Sequence, residues 1–413
     1  MHDEACPTYD DMINNMLIGH EFILDTFGVK PRIGWQIDPF GHSNANARLF
    51  AEMGFDAWFF ARLDYKDKEK RMNEKSLEWV WMPNEESLGK DVNILTHTLY
   101  AHYSSPQGLA FDILARDEPW VNDEKSDTFN ADTESADADK YFEERCAHYV
   151  TDECFVLFGD DFWYMNAMQN YESMDQMIAY MNKHYGDKYN FFYSTPSQYV
   201  DALATYDVEW PTKYDDMFPY SDSPDSYWTG YFSSRPNDKE YIRKASHNLD
   251  ASNQLYAEKV LDQNIDEDTL SDIMDAKYSM LDALGINQHH DAVTGTGKQA
   301  VADDYALKLY TGMDINSDKY SDMISEKIES LTGLNSSMKW MQCSQTNSTY
   351  LDCPVADLPE QTFAVAIQNP SSIENSKVRI AVPHGKYNVQ LFNQSTQEYQ
   401  NASASVVCHD DLA

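Results

Sequence analysis

Ile33-Gly34-Trp35-Gln36-Ile37-Asp38-Pro39-Phe40-Gly41-His42 is the stretch from which the fold is read. A short apolar run that stops abruptly at Asp-Pro, with a glycine just beyond, reads as a buried strand feeding a turn. Upstream, Met12, Met16, Ile18, Phe22, Ile23 and Phe27 recur at helical spacing before Gly28, which predicts a helix from residue 8 to about 27. Downstream, a helical pattern over 44–53 leads to a second apolar run, Ala57-Trp58-Phe59-Phe60-Ala61, closed by Arg62. Strand, helix, strand is the rhythm of a parallel α/β sheet. It returns at Phe155-Val156-Leu157-Phe158, closed by Gly159-Asp160-Asp161, and at Tyr189-Asn190-Phe191-Phe192-Tyr193 before Ser194-Thr195-Pro196. Residues 120–140, acidic and poor in apolar groups, read as a surface insertion.

The texture changes after Pro211. An aromatic, turn-rich stretch from Phe218 to Phe232 precedes three long helical patterns, at about 238–263, 266–286 and 299–331, whose short connections predict a three-helix bundle. From about residue 360 the period falls to two, in 363–367, 378–382 and 389–392. The expected fold class is therefore α/β: a partial parallel α/β barrel over 1–215, a three-helix bundle over 216–335, and the start of a β-sandwich over 336–413.

With 31 Lys+Arg against 69 Asp+Glu in 413 residues the net charge is −38. Such an excess repels phosphate backbones and anionic lipid, which argues against nucleic-acid and membrane partners. No window holds about 18 consecutive apolar residues, and the acidic start, Met1-His2-Asp3-Glu4, is unlike a signal peptide. Four sequons, at Asn335, Asn347, Asn393 and Asn401, nevertheless point to a glycosylated protein of the secretory pathway, so the true N-terminus is expected upstream. Cys343 and Cys353 flank Asn347 and are expected to close a small disulfide in an oxidising compartment; chance sequons beside two cytosolic thiols are the alternative. Cys6, Cys146, Cys154 and Cys408 lack metal-ligand spacing and read as structural or unbonded.

Two constellations can carry chemistry. Asp38, Arg62 and the Asp160-Asp161 pair each close an apolar strand, and strand ends of an α/β barrel converge on one pocket. Two carboxyls, one ionised and one protonated, are the minimum for retaining glycoside hydrolysis; the alternative is that each merely starts a loop. The second is Asn287-Gln288-His289-His290-Asp291 with the Gly-rich turn Thr294-Gly295-Thr296-Gly297 behind it. Adjacent histidines followed by a carboxylate suit Zn²⁺, although an exposed His pair capping a helix gives the same pattern. A zinc-protease His-Glu-x-x-His, a P-loop, a dinucleotide fingerprint and a serine-hydrolase elbow are all missing.

Five segments, in order, carry a resemblance: Gly34-Trp35-Gln36-Ile37-Asp38-Pro39-Phe40-Gly41-His42-Ser43; Phe60-Ala61-Arg62-Leu63-Asp64-Tyr65; Gly159-Asp160-Asp161-Phe162; Trp228-Thr229-Gly230-Tyr231-Phe232-Ser233-Ser234-Arg235-Pro236; and Gln288-His289-His290-Asp291-Ala292-Val293-Thr294-Gly295-Thr296. Together they resemble glycoside hydrolase family 38, and within it the lysosomal class of α-mannosidases. The resemblance implies a retaining enzyme that removes α-linked mannose from glycoprotein oligosaccharides with one Zn²⁺, in the lysosome or another secretory compartment. By position, Asp38 is implied as both nucleophile and zinc ligand, His290 as a second ligand, and Asp161 as acid/base, with Asp160 the alternative. Asp291, Tyr103, Phe40 and Arg62 are implied to line the sugar subsite. The family's other two ligands, from an H-x-D motif, belong upstream of Met1, so the chain is expected to be a fragment with half the zinc shell and doubtful activity alone. A catalytically inactive carbohydrate-binding relative and an unrelated metal-dependent sugar deacetylase are the competing readings.

Overall fold

The computed structural model describes residues 1–115, 117–261, 264–333, 340, 344–345, 351–353, 355, 362–373, 380–383, 385–393 and 395–405. It divides into two compact units, one of Met1–Pro236 with Gln288–Gly297 and one of Asn237–Asn287 with Lys298–Ala413.

In the first unit, helix α1 (Tyr9–Phe27) starts at Thr8, whose hydroxyl accepts the Asp11 amide, and ends at a left-handed Gly28. Strand β1 (Ile33–Gln36), helix α2 (Asn44–Glu52) and strand β2 (Ala57–Phe60) follow, and β1 pairs with β2 in parallel from Ile33↔Ala57 to Gln36↔Phe60. Next come α3 (Tyr65–Glu74), β3 (Glu78–Trp81), α4 (Glu85–Leu88) and β4 (Ile94–Thr98), then α5 (Ala131–Cys146), α6 (Ala167–His184), α7 (Pro196–Leu203) and β5 (Thr212–Lys213). The sheet order is β1-β2-β4-β3-β5. The β2–β4 and β3–β5 pairs are parallel, but β3 runs antiparallel to β4. The sheet is thus mixed where a parallel one was expected, because the β3–β4 connection carries no crossover helix long enough to bring the chain back.

Strand β2 is the sheet's fully buried member. Trp58 and Phe60 face one cluster with Phe50, Trp79 and Trp81, while Ala57 and Phe59 face another with Phe155, Tyr199 and Leu203. Burial on both faces explains the continuous apolar run that marked this strand in the sequence.

The segments at 155–158 and 189–193 are not strands here. Their apolar side chains are partly packed away, but the backbone finds other partners: Arg145 donates to the Phe155 carbonyl and the Tyr164 hydroxyl to the Phe158 carbonyl, and the Asn182 side-chain amide takes both the N–H and the C=O of Phe191. Apolar pattern reports burial, and burial alone does not specify a ladder. Residues 120–140 also differ from the expected surface insertion. Trp120 is buried, and Ala131, Ala138 and Phe142 turn one face of α5 onto Met174, Met177 and Met181 of α6. Two of the three contacts on that face are alanines, so the stripe is apolar without looking hydrophobic. At the end of α5, Cys146 is bonded to Cys154, Cα to Cα 5.4 Å; eight residues of separation was the available signal.

In the second unit, α8 (Pro236–Val260), α9 (Glu267–Asn287) and α10 (Gln299–Thr332) are long helices. Gly312 of α10 lies against Ser279 and Ala283 of α9, and Asn316 of α10 bonds Asn248, Ser252 and Tyr256 of α8. Two hairpin-like pairs follow, β6 (Ser344–Gln345) with β7 (Leu351–Asp352) and β8 (Gln390–Asn393) with β9 (Glu398–Asn401). Residues 363–367 form no strand, and part of 378–382 lies outside the described residues. So does Cys343; Cys353 is buried and disulfide-bonded. No described helix is long and apolar enough to cross a membrane.

Candidate active site

Beyond β1, Asp38 opens a tight turn that ends at His42. Gly41 has φ +105°, and a Cβ there would meet Phe218 at 2.4 Å, so only glycine closes this turn. At the end of β2, Arg62 reaches back: its Nε donates to the Asp38 carbonyl at 2.9 Å and to Asp38 Oδ1 at 2.6 Å, and a second guanidinium nitrogen pairs with Oδ1. Asp38 Oδ2 faces His290 Nε2 at 3.0 Å. Burial by itself would raise the Asp38 pKa, but the His290 hydrogen bond and the Arg62 charge outweigh it and hold the group at about 2. The carboxylate is therefore ionised at any physiological pH.

The guanidinium of Arg62 lies within cation–π distance of four rings, Trp228 at 4.9 Å, Phe40 at 5.6 Å, Tyr220 at 5.7 Å and Tyr103 at 5.9 Å. Tyr220 and Trp228 escaped assignment from sequence, where only the aromatic density of 218–232 hinted at them. Tyr103 comes from the loop after β4, which Lys68 ties to the end of β2 by donating to both Ala61 and Ala101 carbonyls at 2.7 Å. The Tyr103 hydroxyl lies 3.5 Å from Asp161 Oδ1. Burial and then the nearby Asp38 and Asp161 charges keep this phenol protonated, its pKa well above the usual. Asp160 and Asp161 are both exposed, and the Asp160 carboxylate accepts the Asp161 amide. Of the pair, Asp161 is the one turned toward Tyr103.

His290 arrives from 288–297, a segment of the first unit flanked in sequence by α9 and α10. Arg235 fixes the glycine turn behind it through the Gly295 and Gly297 carbonyls, and Gly295 has φ +75° with Ser234 O 2.9 Å from where a Cβ would be. Thr294 caps the His290 carbonyl, and His2 pairs with His289 in an isolated bridge. Asp291 accepts Thr296 Oγ1 at 2.8 Å; the His289 and Thr296 hydrogen bonds lower its pKa against the opposing effect of burial. Asp38, Phe40, Arg62, Tyr103 and His290 thus share contacts, Asp161 joins through Tyr103, and Asp291 sits beside His290. Behind them residues 2–4 are buried; burial takes His2 down to about 4 and pushes Asp3 and Glu4 up.

The donor atoms suit a cation. His290 Nδ1 is 3.1 Å from the Met1 carbonyl, which only accepts, so Nδ1 carries a proton, and Nε2 faces a carboxylate oxygen of Asp38. Two electron-rich atoms hold that geometry only with a proton or a metal ion between them, and a carbonyl-oriented imidazole is the usual state of a metal-ligating histidine. A second grouping, His289, His290 and Asp291, also brings ligand atoms within 4.8 Å of one another. There His289 Nε2 is 3.5 Å from Asp291 Oδ2.

The model for the glycosyl hydrolases family 38 N-terminal domain matches residues 1–223, and that for the alpha-mannosidase middle domain matches 226–326. Lysosomal alpha-mannosidase of Dictyostelium discoideum is 37% identical over 394 residues, which is 93% of this chain and 38% of that protein. The human lysosomal alpha-mannosidase is 36% identical over 405 residues, 96% of this chain and 38% of its own length, and an alpha-mannosidase of Arabidopsis thaliana is 38% identical with 96% and 38% covered. The chain thus spans about two fifths of these relatives. A crystal structure of an alpha-mannosidase from Enterococcus faecalis is similar in fold, with a TM-score of 0.61 at 15% identity over 81% of this chain and 34% of that one.

Proposed function

Since the chain belongs to glycosyl hydrolase family 38, we propose that it is part of a retaining α-mannosidase acting on α-linked mannose of glycoprotein oligosaccharides in a lysosomal or related secretory compartment. One observation carries the reading: Asp38 is held ionised between Arg62 and His290, with Asp161 across the Tyr103 hydroxyl. Asp38 attacks the anomeric carbon while Asp161 gives its proton to the leaving oxygen, and a glycosyl ester forms on Asp38. Asp161 then takes a proton from water, the water oxygen attacks the same carbon, and mannose leaves with Asp38 restored. Asp38 and His290 would hold Zn²⁺, joined by ligands of the H-x-D motif that the resemblance places upstream. When bound, the ion would act as a Lewis acid toward the sugar hydroxyls and so favour ring distortion. Arg62 fixes the rotamer of Asp38, and Phe40, Tyr103 and Asp291 with the Trp228 ring line the sugar subsite. A partial α/β barrel carrying the site, a three-helix bundle and the start of a β-sandwich remain the architecture that fits this reading.

Turnover of aryl α-mannosides tests it. Asp38→Asn should lower kcat about 10⁴-fold or more, with the nucleophile gone. Asp161→Asn should cost about 10²- to 10⁴-fold on a poor leaving group and much less on dinitrophenolate, which needs no acid. An Asp38→Asn protein that still turns over overturns the assignment.

A further inference from the structure

Behind the Asp38–Arg62 pair lies a second, wholly buried pair that the proposed reaction does not use. His42 Nδ1 is 2.8 Å from Glu4 Oε1 and its Nε2 is 3.1 Å from the Arg62 backbone carbonyl. Both side chains are fully out of solvent. The other Glu4 oxygen accepts the Ser43 amide at 2.8 Å, and Gln36 Nε2 approaches Oε1 at 3.3 Å. The His42 ring is stacked on Phe60 at 3.8 Å and meets Trp58 edge-on at 5.6 Å. A carbonyl only accepts, so Nε2 carries a proton, and one further proton is shared between Nδ1 and Glu4.

The topology gives this pair its significance. The turn from Asp38 to His42 grips Arg62 at both ends, because the Arg62 side chain binds Asp38 while the Arg62 backbone carbonyl binds His42. The result is a closed ring of five turn residues and one arginine, with Glu4 fixing the imidazole. We propose that Glu4 and His42 are positioning residues that set Arg62, and through Arg62 the carboxylate of Asp38. Neither touches substrate. Losing the imidazole leaves the Arg62 carbonyl unpaired in the core and lets the turn and the guanidinium shift together. Displacement of a reacting carboxylate by about 1 Å costs about 10²-fold in rate.

This inference rests on the proposed role of Asp38, and two readouts separate them. In kinetics on an aryl α-mannoside, His42→Phe should lower kcat about 100-fold with KM within about threefold. His42→Gln, whose amide reaches the Arg62 carbonyl, should recover at least tenfold of that loss, and the isosteric Glu4→Gln should fall between. A change that only loosened the fold would not be rescued by Gln in proportion to the donor it restores. The second readout needs no turnover: solvent exchange of the Arg62 Nε–H, followed by NMR in the full chain, should be at least tenfold faster in His42→Phe, with α2 amide protection unchanged. Should His42→Phe leave the Arg62 Nε–H exchange as in the parent, the positioning role is overturned. An active Asp38→Asn together with accelerated exchange in His42→Phe would sink the reaction assignment and leave the positioning pair standing.

Discussion

Asp38 has its two oxygens engaged from opposite sides, Oδ1 by Arg62 and Oδ2 by His290, and this division decides which atoms can share a metal ion. His290 turns its other nitrogen to a backbone carbonyl, whereas His289 is half-exposed and lies 3.5 Å from Asp291. Calorimetric titration with Zn²⁺ should therefore lose at least about tenfold in affinity in Asp38→Ala and in His290→Ala, and within about threefold in His289→Ala. The reverse ranking would move the metal to the 289–291 cluster. Asp38 and Arg62 were legible in the sequence because each stands where an apolar run breaks, and the His289-His290 pair stood out before its glycine turn, but the choice of His290 within it came from the resemblance. Tyr220 and Trp228 were not, since what makes them part of the site is an arginine about 160 residues earlier, and no local pattern records that contact.

The turn between β1 and α2 is the element on which the site depends most directly. Gly41→Ala places a methyl inside contact distance of Phe218 and forces φ +105° on an L side chain. It should destabilise the first unit by about 2–4 kcal/mol, read as a lower denaturant midpoint, and should cost activity beyond the loss of folded protein. Strands were legible where both faces are buried, as in β2, and misleading at 155–158 and 189–193, where arginine, tyrosine and asparagine side chains satisfy backbone that a neighbouring strand would otherwise pair. Helices α1, α2 and α8–α10 stood out by period. Helix α5 did not, because its buried stripe is built from alanine, serine, an arginine and a single phenylalanine among acids.

Across the whole molecule, charge makes pH a determinant of stability, and the buried residues 2–4 give it opposite signs. His2 has a folded pKa of about 4 against 6.5 unfolded, so between those values the unfolded chain binds more protons and stability falls as pH falls. For Asp3 and Glu4 burial raises the folded pKa above 3.8 and 4.5, so their contribution is lost as pH rises from those values toward the folded ones instead. Replacing His2 by Gln should remove the first term: the parent's stability relative to the variant should drop by on the order of 2–3 kcal/mol between pH 6.5 and 4, measured by unfolding at each pH. A constant difference across that range would show that His2 does not titrate in the folded state in this way.

The placement of residues 288–297 in the first unit has a consequence for the order of events during synthesis. Asp38 and His290 are separated by 252 positions, and everything from α8 to the end of α9 is made in between. A nascent chain can build the sheet, seat Arg62 on Asp38 and surround it with aromatic rings long before the imidazole leaves the ribosome. Contacts this distant close late. Asp38, Arg62 and their aromatic neighbours are thus all synthesised first, and the histidine becomes available only after two of the three long helices have been translated.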